Sequence, residues 1–136
     1  MRRRTSLLAL AAAAVVIGCG SEPPDLFAVQ RAGNVPGARL RLVVSDSGTV
    51  RCDGGKAIAL SDTELLDARQ LQRDLRTPAE HRLRLKPGRG SVMQYRVISG
   101  DGTIDFADDS LHKPPVLDRL AFYVHELAQR RCGRAR

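Results

Sequence analysis

The sequence predicts an α+β fold: a small antiparallel β-sheet built from hairpins, with two amphipathic helices packed on one face. Three observations carry this expectation. Short segments alternate apolar and polar residues with period two, the mark of strands with one wet face. Turn clusters such as Asp46-Ser47-Gly48 and Gly100-Asp101-Gly102 separate them and send the chain back on itself. Two other segments space their apolar residues by about 3.6, as amphipathic helices do. Hairpins combined with such helices layer the helices on one side of a sheet.

Asp25 to Arg31 alternates, with Phe27 and Val29 on one face and Ala28 and Gln30 on the other, and is the first predicted strand. Ala32 to Gly37 is rich in breakers and reads as a loop. Ala38 to Ser45 is the clearest strand, placing Leu40, Leu42 and Val44 inside and Arg39 and Arg41 outside. After the turn, Thr49 to Cys52 returns with Val50 and Cys52 on one face, and Asp53-Gly54-Gly55 ends it. Ala57 to Leu60 reads as a further short extended piece.

Ser61-Asp62-Thr63-Glu64 is a capping box, in which Ser61 accepts from the Glu64 backbone and the Glu64 side chain reaches back. It predicts a helix from Asp62 to about Leu75, with Leu65, Ala68, Leu71 and Leu75 inward and Thr77-Pro78 as its stop. His81 to Gly90 is expected to be loop, although Leu83 and Leu85 alternate with Arg82 and Arg84. Ser91 to Ser99 is a strand with Met93, Tyr95 and Val97 opposite Val92, Gln94, Arg96 and Ile98. Thr103 to Ala107 completes that hairpin with Ile104 and Phe106. Pro114-Pro115 opens the last helix, Val116 to Arg131. Its stripe is Leu117, Leu120, Ala121, Val124, Leu127 and Ala128, with Arg130 and Arg131 at the negative end and Gly133 as its stop.

The chain opens differently. Arg2-Arg3-Arg4 is a basic n-region and Leu7 to Ile17 an apolar run, too short for the roughly 20 residues that span a bilayer. This is the pattern of a secretory leader. Val16-Ile17-Gly18-Cys19 resembles the lipobox of bacterial lipoproteins. The resemblance implies that the Cys19 thiol receives a diacylglyceryl group, that the leader is cut before it, and that the new amino end is acylated too, palmitate being a typical chain. Several acyl chains hold a protein stably where one is marginal. The expected organisation is a leader at 1–18, a lipidated Cys and tether at 19–24, and one α+β domain at 25–136. Gly20-Ser21-Glu22-Pro23-Pro24 is the tether. Arg3-Arg4 before Thr5-Ser6-Leu7 partly matches a twin-arginine export signal, with Ser6 where a bulky apolar residue is expected. General and twin-arginine export both stay open.

Loss of the leader leaves 118 of 136 residues, enough for one core, and takes the formal net charge from +7 to +4. With no Trp and 4% aromatics, the core must be Leu, Val, Ile and Ala. The basic residues are overwhelmingly Arg, which fits either attraction to anionic envelope material or the codon bias of a GC-rich genome. An exported domain rarely meets nucleic acid, and no nucleic-acid partner is expected. With Cys19 committed to lipid, Cys52 and Cys132 remain, an even pair in an oxidising compartment. A Cys52–Cys132 disulfide is expected, against the alternative of two free buried thiols.

Candidate chemistry is sparse. His125-Glu126 matches the first half of a zinc-protease motif, but Gln129 stands where the second His is needed, so no metal is expected. Asp101, Asp105, Asp108 and Asp109 suggest a calcium loop, yet an EF-hand needs Gly at Phe106 and Glu at His112, so a wet hairpin face is the expectation. His81 and His112 sit in loops without a nucleophile pattern. No catalytic residue, cofactor or enzymatic activity is expected.

Gln30-Arg31-Ala32-Gly33, Pro36-Gly37, Tyr95-Arg96-Val97 with Asp101-Gly102, Phe106-x-Asp108-Asp109 and Pro115-x-Leu117-x-x-Leu120 are arranged in an order that resembles emfourin, a small bacterial inhibitor of thermolysin-type metalloproteases. The similarity covers most of Val29 to Leu127. The hairpin Asp46 to Lys56, the cysteine pair and the lipid anchor depart from that family's pattern. The resemblance implies a non-catalytic inhibitor and assigns no contact residue. The alternative is an envelope adaptor that binds another protein or an anionic polymer through Arg39, Arg41, Arg82 and Arg84. Either way the expected place is the extracytoplasmic side of the cell membrane, held by lipid, with a protease or envelope protein as candidate partner.

Overall fold

The computed structural model describes residues 25–134. The expected leader, Cys19, the expected tether and the last two residues lie outside the described residues. Among the described residues, no helix is long and apolar enough to cross a membrane.

Six antiparallel strands form one sheet: β1 (Asp25–Gly33), β2 (Leu40–Ser45), β3 (Thr49–Cys52), β4 (Ile58–Ala59), β5 (Met93–Ser99) and β6 (Gly102–Ala107), in the order β4-β3-β2-β1-β5-β6. Two hairpin systems therefore meet at β1, which pairs with β2 on one side and β5 on the other. Three helices follow from the rest: α1 (Asp62–Asp74), α2 (Arg76–Glu80) and α3 (Pro115–Arg130).

The register sorts the side chains. Val50, Val44 and Phe27 align across the sheet, as do Cys52, Leu42, Val29, Val97 and Ile104, and then Leu40, Arg31, Tyr95 and Phe106. These rows face the helices. Ala68, Leu71 and Leu75 from α1 and its cap, and Leu117, Leu120, Val124 and Leu127 from α3, close over them. Each such Leu or Phe buried contributes about 1.5–3 kcal/mol. Four of the five aromatic residues pair: Tyr95 stacks on Phe106, and Phe27 meets Tyr123 edge to face.

The helices cross the strands. Arg69 of α1 bonds Asp46 in the β2–β3 turn at 2.8 Å, and Arg76 of α2 reaches Asp101 in the β5–β6 turn at 3.9 Å. α3 runs antiparallel to α1: Arg119 near its start pairs with Asp74 at the end of α1, while Tyr123 and Arg131 reach Glu64 in the first turn of α1. The capping box on Ser61 and Glu64 forms as the sequence predicts.

Two expectations are corrected. Thr77-Pro78 does not end the helical layer: α1 stops at Asp74, and Pro78 lies in the first turn of α2, where its missing N–H costs nothing. The segment after it is not all loop. Leu83 and Leu85 flank Asp105 of β6 in a parallel bridge, with Leu85 N–H to Asp105 C=O at 2.8 Å and Asp105 N–H to Leu83 C=O at 3.0 Å. Half-buried Leu83 and Leu85 pack against the core, which is why their alternation appears in the sequence.

Cys52 and Cys132 sit at disulfide distance, with S–S 2.04 Å and Cα–Cα 5.7 Å. The pair ties β3 to the chain just beyond α3. Arg134 adds an ion pair to Asp53 beside it.

Candidate binding face

The helices cover one side of the sheet, and among the described residues no element lies over the other. That open face is read from the alternate residues of each strand. One row is Arg51, Val43, Ala28, Ile98 and Thr103; the next is Arg41, Gln30, Arg96 and Asp105, with Arg84 at the β6 edge. Arg41, Arg51, Arg96, Gln30 and Arg84 are exposed, whereas Ala28, Val43 and Ile98 are half-buried between them. Long polar stems shelter a shallow apolar centre.

Arg39 and Arg41 alternate outward ahead of and within β2, as the sequence predicts. Arg84 also reaches this face but stands beyond β6, four strand spacings or roughly 19 Å from the line of β2. Arg82 occupies the turn after α2 with φ 50° and does not join the rows. Of the four expected arginines, Arg39 and Arg41 thus stand together, Arg84 stands apart from them and Arg82 joins neither. Arg51 and Arg96 belong to the face and were missing from the expected set. Both were legible from alternation, Arg51 between Val50 and Cys52 and Arg96 between Tyr95 and Val97.

The charges are arranged unevenly. Asp105 receives Arg96 at 2.7 Å and Arg84 at 3.6 Å. The hydrogen bond to Asp105 and its charge raise the Arg96 pKa above its ordinary value. Asp53, at the β3 end, accepts the Arg41 backbone N–H at 2.9 Å and pairs with Arg134. That backbone hydrogen bond leads in holding its pKa below the usual carboxylate value.

The helical side has a second feature, a groove of about 680 Å³ between α1 and α3. Glu64, Asp67, Asp118 and Glu126 line it, with Phe122, which is 67% exposed. Tyr123 donates to the Glu64 carbonyl at 2.9 Å, and burial raises its pKa. Glu126 of the His125-Glu126 pair bonds Arg130 at 2.7 Å, and no group of three or more His, Cys, Asp or Glu side chains placed to hold a metal occurs among the described residues.

The acidic cluster disperses. Asp101 faces Arg76 and Asp105 lies on the open face, whereas exposed Asp108 and half-buried Asp109 lie in the turn after β6. Asp108 accepts the Val92 N–H at 3.1 Å, and Asp109 accepts the Gly88 N–H at 2.8 Å. They hold together the loops at the sheet end opposite Asp25. Arg31 does the same from inside. Its side chain lies on the core face, only 5% exposed, and donates to the carbonyls of Ala38 at 2.8 Å and Gly37 at 3.0 Å. Burial lowers its pKa.

No protein-family model matches the chain, and no curated protein and no solved structure is significantly similar to it.

Proposed function

We propose that this protein is a lipid-anchored binding module of the cell envelope that acts without catalysis and engages its partner through the open face of the sheet. The observation that carries the reading is the uncovered face itself, which presents Arg39, Arg41, Arg51, Arg84 and Arg96 around a shallow apolar centre. Arginine-rich, rigidly mounted surfaces suit recognition, because the strands fix the spacing and each guanidinium offers a planar fork of donors. The leader-like run and the lipobox resemblance at Val16 to Cys19 support an extracytoplasmic site for the module. The experiment is affinity capture from solubilised envelopes with wild type and an Arg41→Glu/Arg51→Glu variant. Specific capture that the variant loses is expected; equal capture by both rejects the open face.

A second reading, an emfourin-like inhibitor of a thermolysin-type protease, is favoured by the sheet end opposite Asp25. Residues that carry the resemblance meet there: Arg31 holds Gly37 and Ala38, and Asp108 and Asp109 hold Val92 and Gly88. Ser110 is buried, with its Oγ accepting from Ala107 N–H and donating to the Lys86 carbonyl, and Lys113 pairs with Asp118. Between these fixed points Leu111 is 77% exposed. A loop held on both sides of an exposed aliphatic residue is preorganised for protein binding. Titration of a thermolysin-type enzyme should lower peptidase activity, and Leu111→Asp should relieve the inhibition. Full activity at large molar excess removes this reading.

A further inference from the structure

The arginines of the open face are not equivalent, and the difference names a ligand class. This inference rests on the open face being the binding surface. On the β5–β6 half, one carboxylate, Asp105, is shared by Arg96 and Arg84. On the β2–β3 half, Arg39, Arg41 and Arg51 make no ion pair among the described residues. Arg51 spends one N–H on the Gly55 carbonyl at 3.0 Å. Of the carboxylates nearby, Asp53 is already occupied by the Arg41 backbone N–H and the Arg134 guanidinium, while Asp25 lines a shallow pocket with Arg51 and Val43 without forming an ion pair among the described residues. Guanidinium charge without an ion-pair partner therefore collects at the β2–β3 corner.

The spacing is set by the sheet. Arg39 and Arg41 are two residues apart along an extended chain, roughly 7 Å. Arg51 lies opposite Val43 and so diagonally from Arg41, roughly 7–8 Å away. A single small anion would meet one guanidinium in open water and gain little. A chain bearing an anionic group on each repeat meets several at once, and arginine forks fit phosphate oxygens in pairs.

We propose that the β2–β3 corner, formed by Arg39, Arg41 and Arg51, binds a linear phosphate-bearing polymer of the envelope. A bilayer of anionic headgroups offers the same chemistry, but the face has no aromatic side chain to seat in a membrane interface. The exposed aromatic residue among those described, Phe122, stands on α3, on the other side of the sheet.

The test uses the full chain in detergent micelles and fluorescently labelled linear polyphosphate, followed by anisotropy. Binding is expected, with the logarithm of affinity falling against the logarithm of salt at a slope of about −2 for three contacts, a loss of roughly tenfold or more between 50 and 200 mM. Arg41→Gln/Arg51→Gln should weaken binding about tenfold, and Arg84→Gln/Arg96→Gln less than about threefold, with unchanged thermal melts in both. Equal losses in the two variants overturn the assignment to this corner. Displacement of the probe by phosphatidylglycerol micelles, at phosphate concentrations where orthophosphate does nothing, overturns the polymer in favour of a lipid surface. If polyphosphate does not bind while the Arg41→Glu/Arg51→Glu variant still loses its captured partner, the ligand class fails and the open face stands. If neither effect appears, both fail.

Discussion

The Glu64 carboxylate joins the start of α1 to the end of α3: it accepts the Ser61 N–H at 2.8 Å within the α1 cap and the Arg131 guanidinium at 2.8 Å from beyond α3. Burial opposes its charge, but the Ser61 and Arg131 hydrogen bonds outweigh that effect and lower the pKa below 4.5. A lowered carboxylate pKa contributes stability in full above the unfolded value and loses it as pH falls through the folded one. Glu64→Gln should therefore destabilise the protein by about 1–2 kcal/mol at neutral pH. The gap between variant and wild-type thermal melts should close as pH falls below 4.5. A gap that persists unchanged in acid would contradict this role.

The Cys52–Cys132 pair closes a sequence separation of 80 residues. Replacing both with serine should cost about 2–4 kcal/mol, read from urea unfolding midpoints. Reductant should lower wild type to the level of the double variant and leave the variant unmoved. Equal wild-type midpoints with and without reductant would show that the bond carries no stability.

Arg31 is a buried cation whose partners are two backbone carbonyls, not a carboxylate. Arg31→Met keeps most of the volume and leaves the Gly37 and Ala38 carbonyls without this donor. The expected loss is about 1–3 kcal/mol by urea denaturation. Faster amide exchange across residues 34–38 should accompany it, since the loop loses its inner tie. A protein as stable as wild type would mean that water replaces the guanidinium at no cost.

Gly102 adopts φ 143° in the β5–β6 turn, and a Cβ there would stand 2.2 Å from the Ala79 carbonyl oxygen. Gly102→Ala must strain the turn and push α2 off β6. A loss of roughly 2–3 kcal/mol is expected in thermal or chemical unfolding. An unchanged midpoint would mean that α2 shifts freely.

Much of this architecture was legible because local signals and burial agreed. The alternation of Leu40, Leu42 and Val44 against Arg39 and Arg41 is also the alternation of core and open face. The Ser61–Glu64 spacing gave the start of α1, and the stripe from Leu117 to Ala128 is the buried side of α3. What was hidden depends on tertiary partners. Thr77-Pro78 reads as a stop, but Ala79 packs into the core and lets a new helix start there. Leu83 and Leu85 make a strand-like bridge only because β6 offers an edge. Arg31 sits at an inward position that alternation assigns to an apolar residue, and only the carbonyls of Gly37 and Ala38 make a guanidinium acceptable there. Alternation places Arg96 and Arg84 on the wet side, yet it gives no hint that Asp105 neutralises both. Sequence alone therefore turned Arg39 and Arg41 outward but did not show which outward arginines are paired.

Both readings of function require the domain to work outside the cytoplasm, held to a membrane through Cys19. Intact-mass spectrometry of protein isolated from its native membranes tests this most directly. The account predicts a chain that begins at Cys19 and carries diacylglyceryl and amide-linked acyl mass, with 118 residues remaining. A chain that retains its leader, or one that starts elsewhere without lipid, would contradict it.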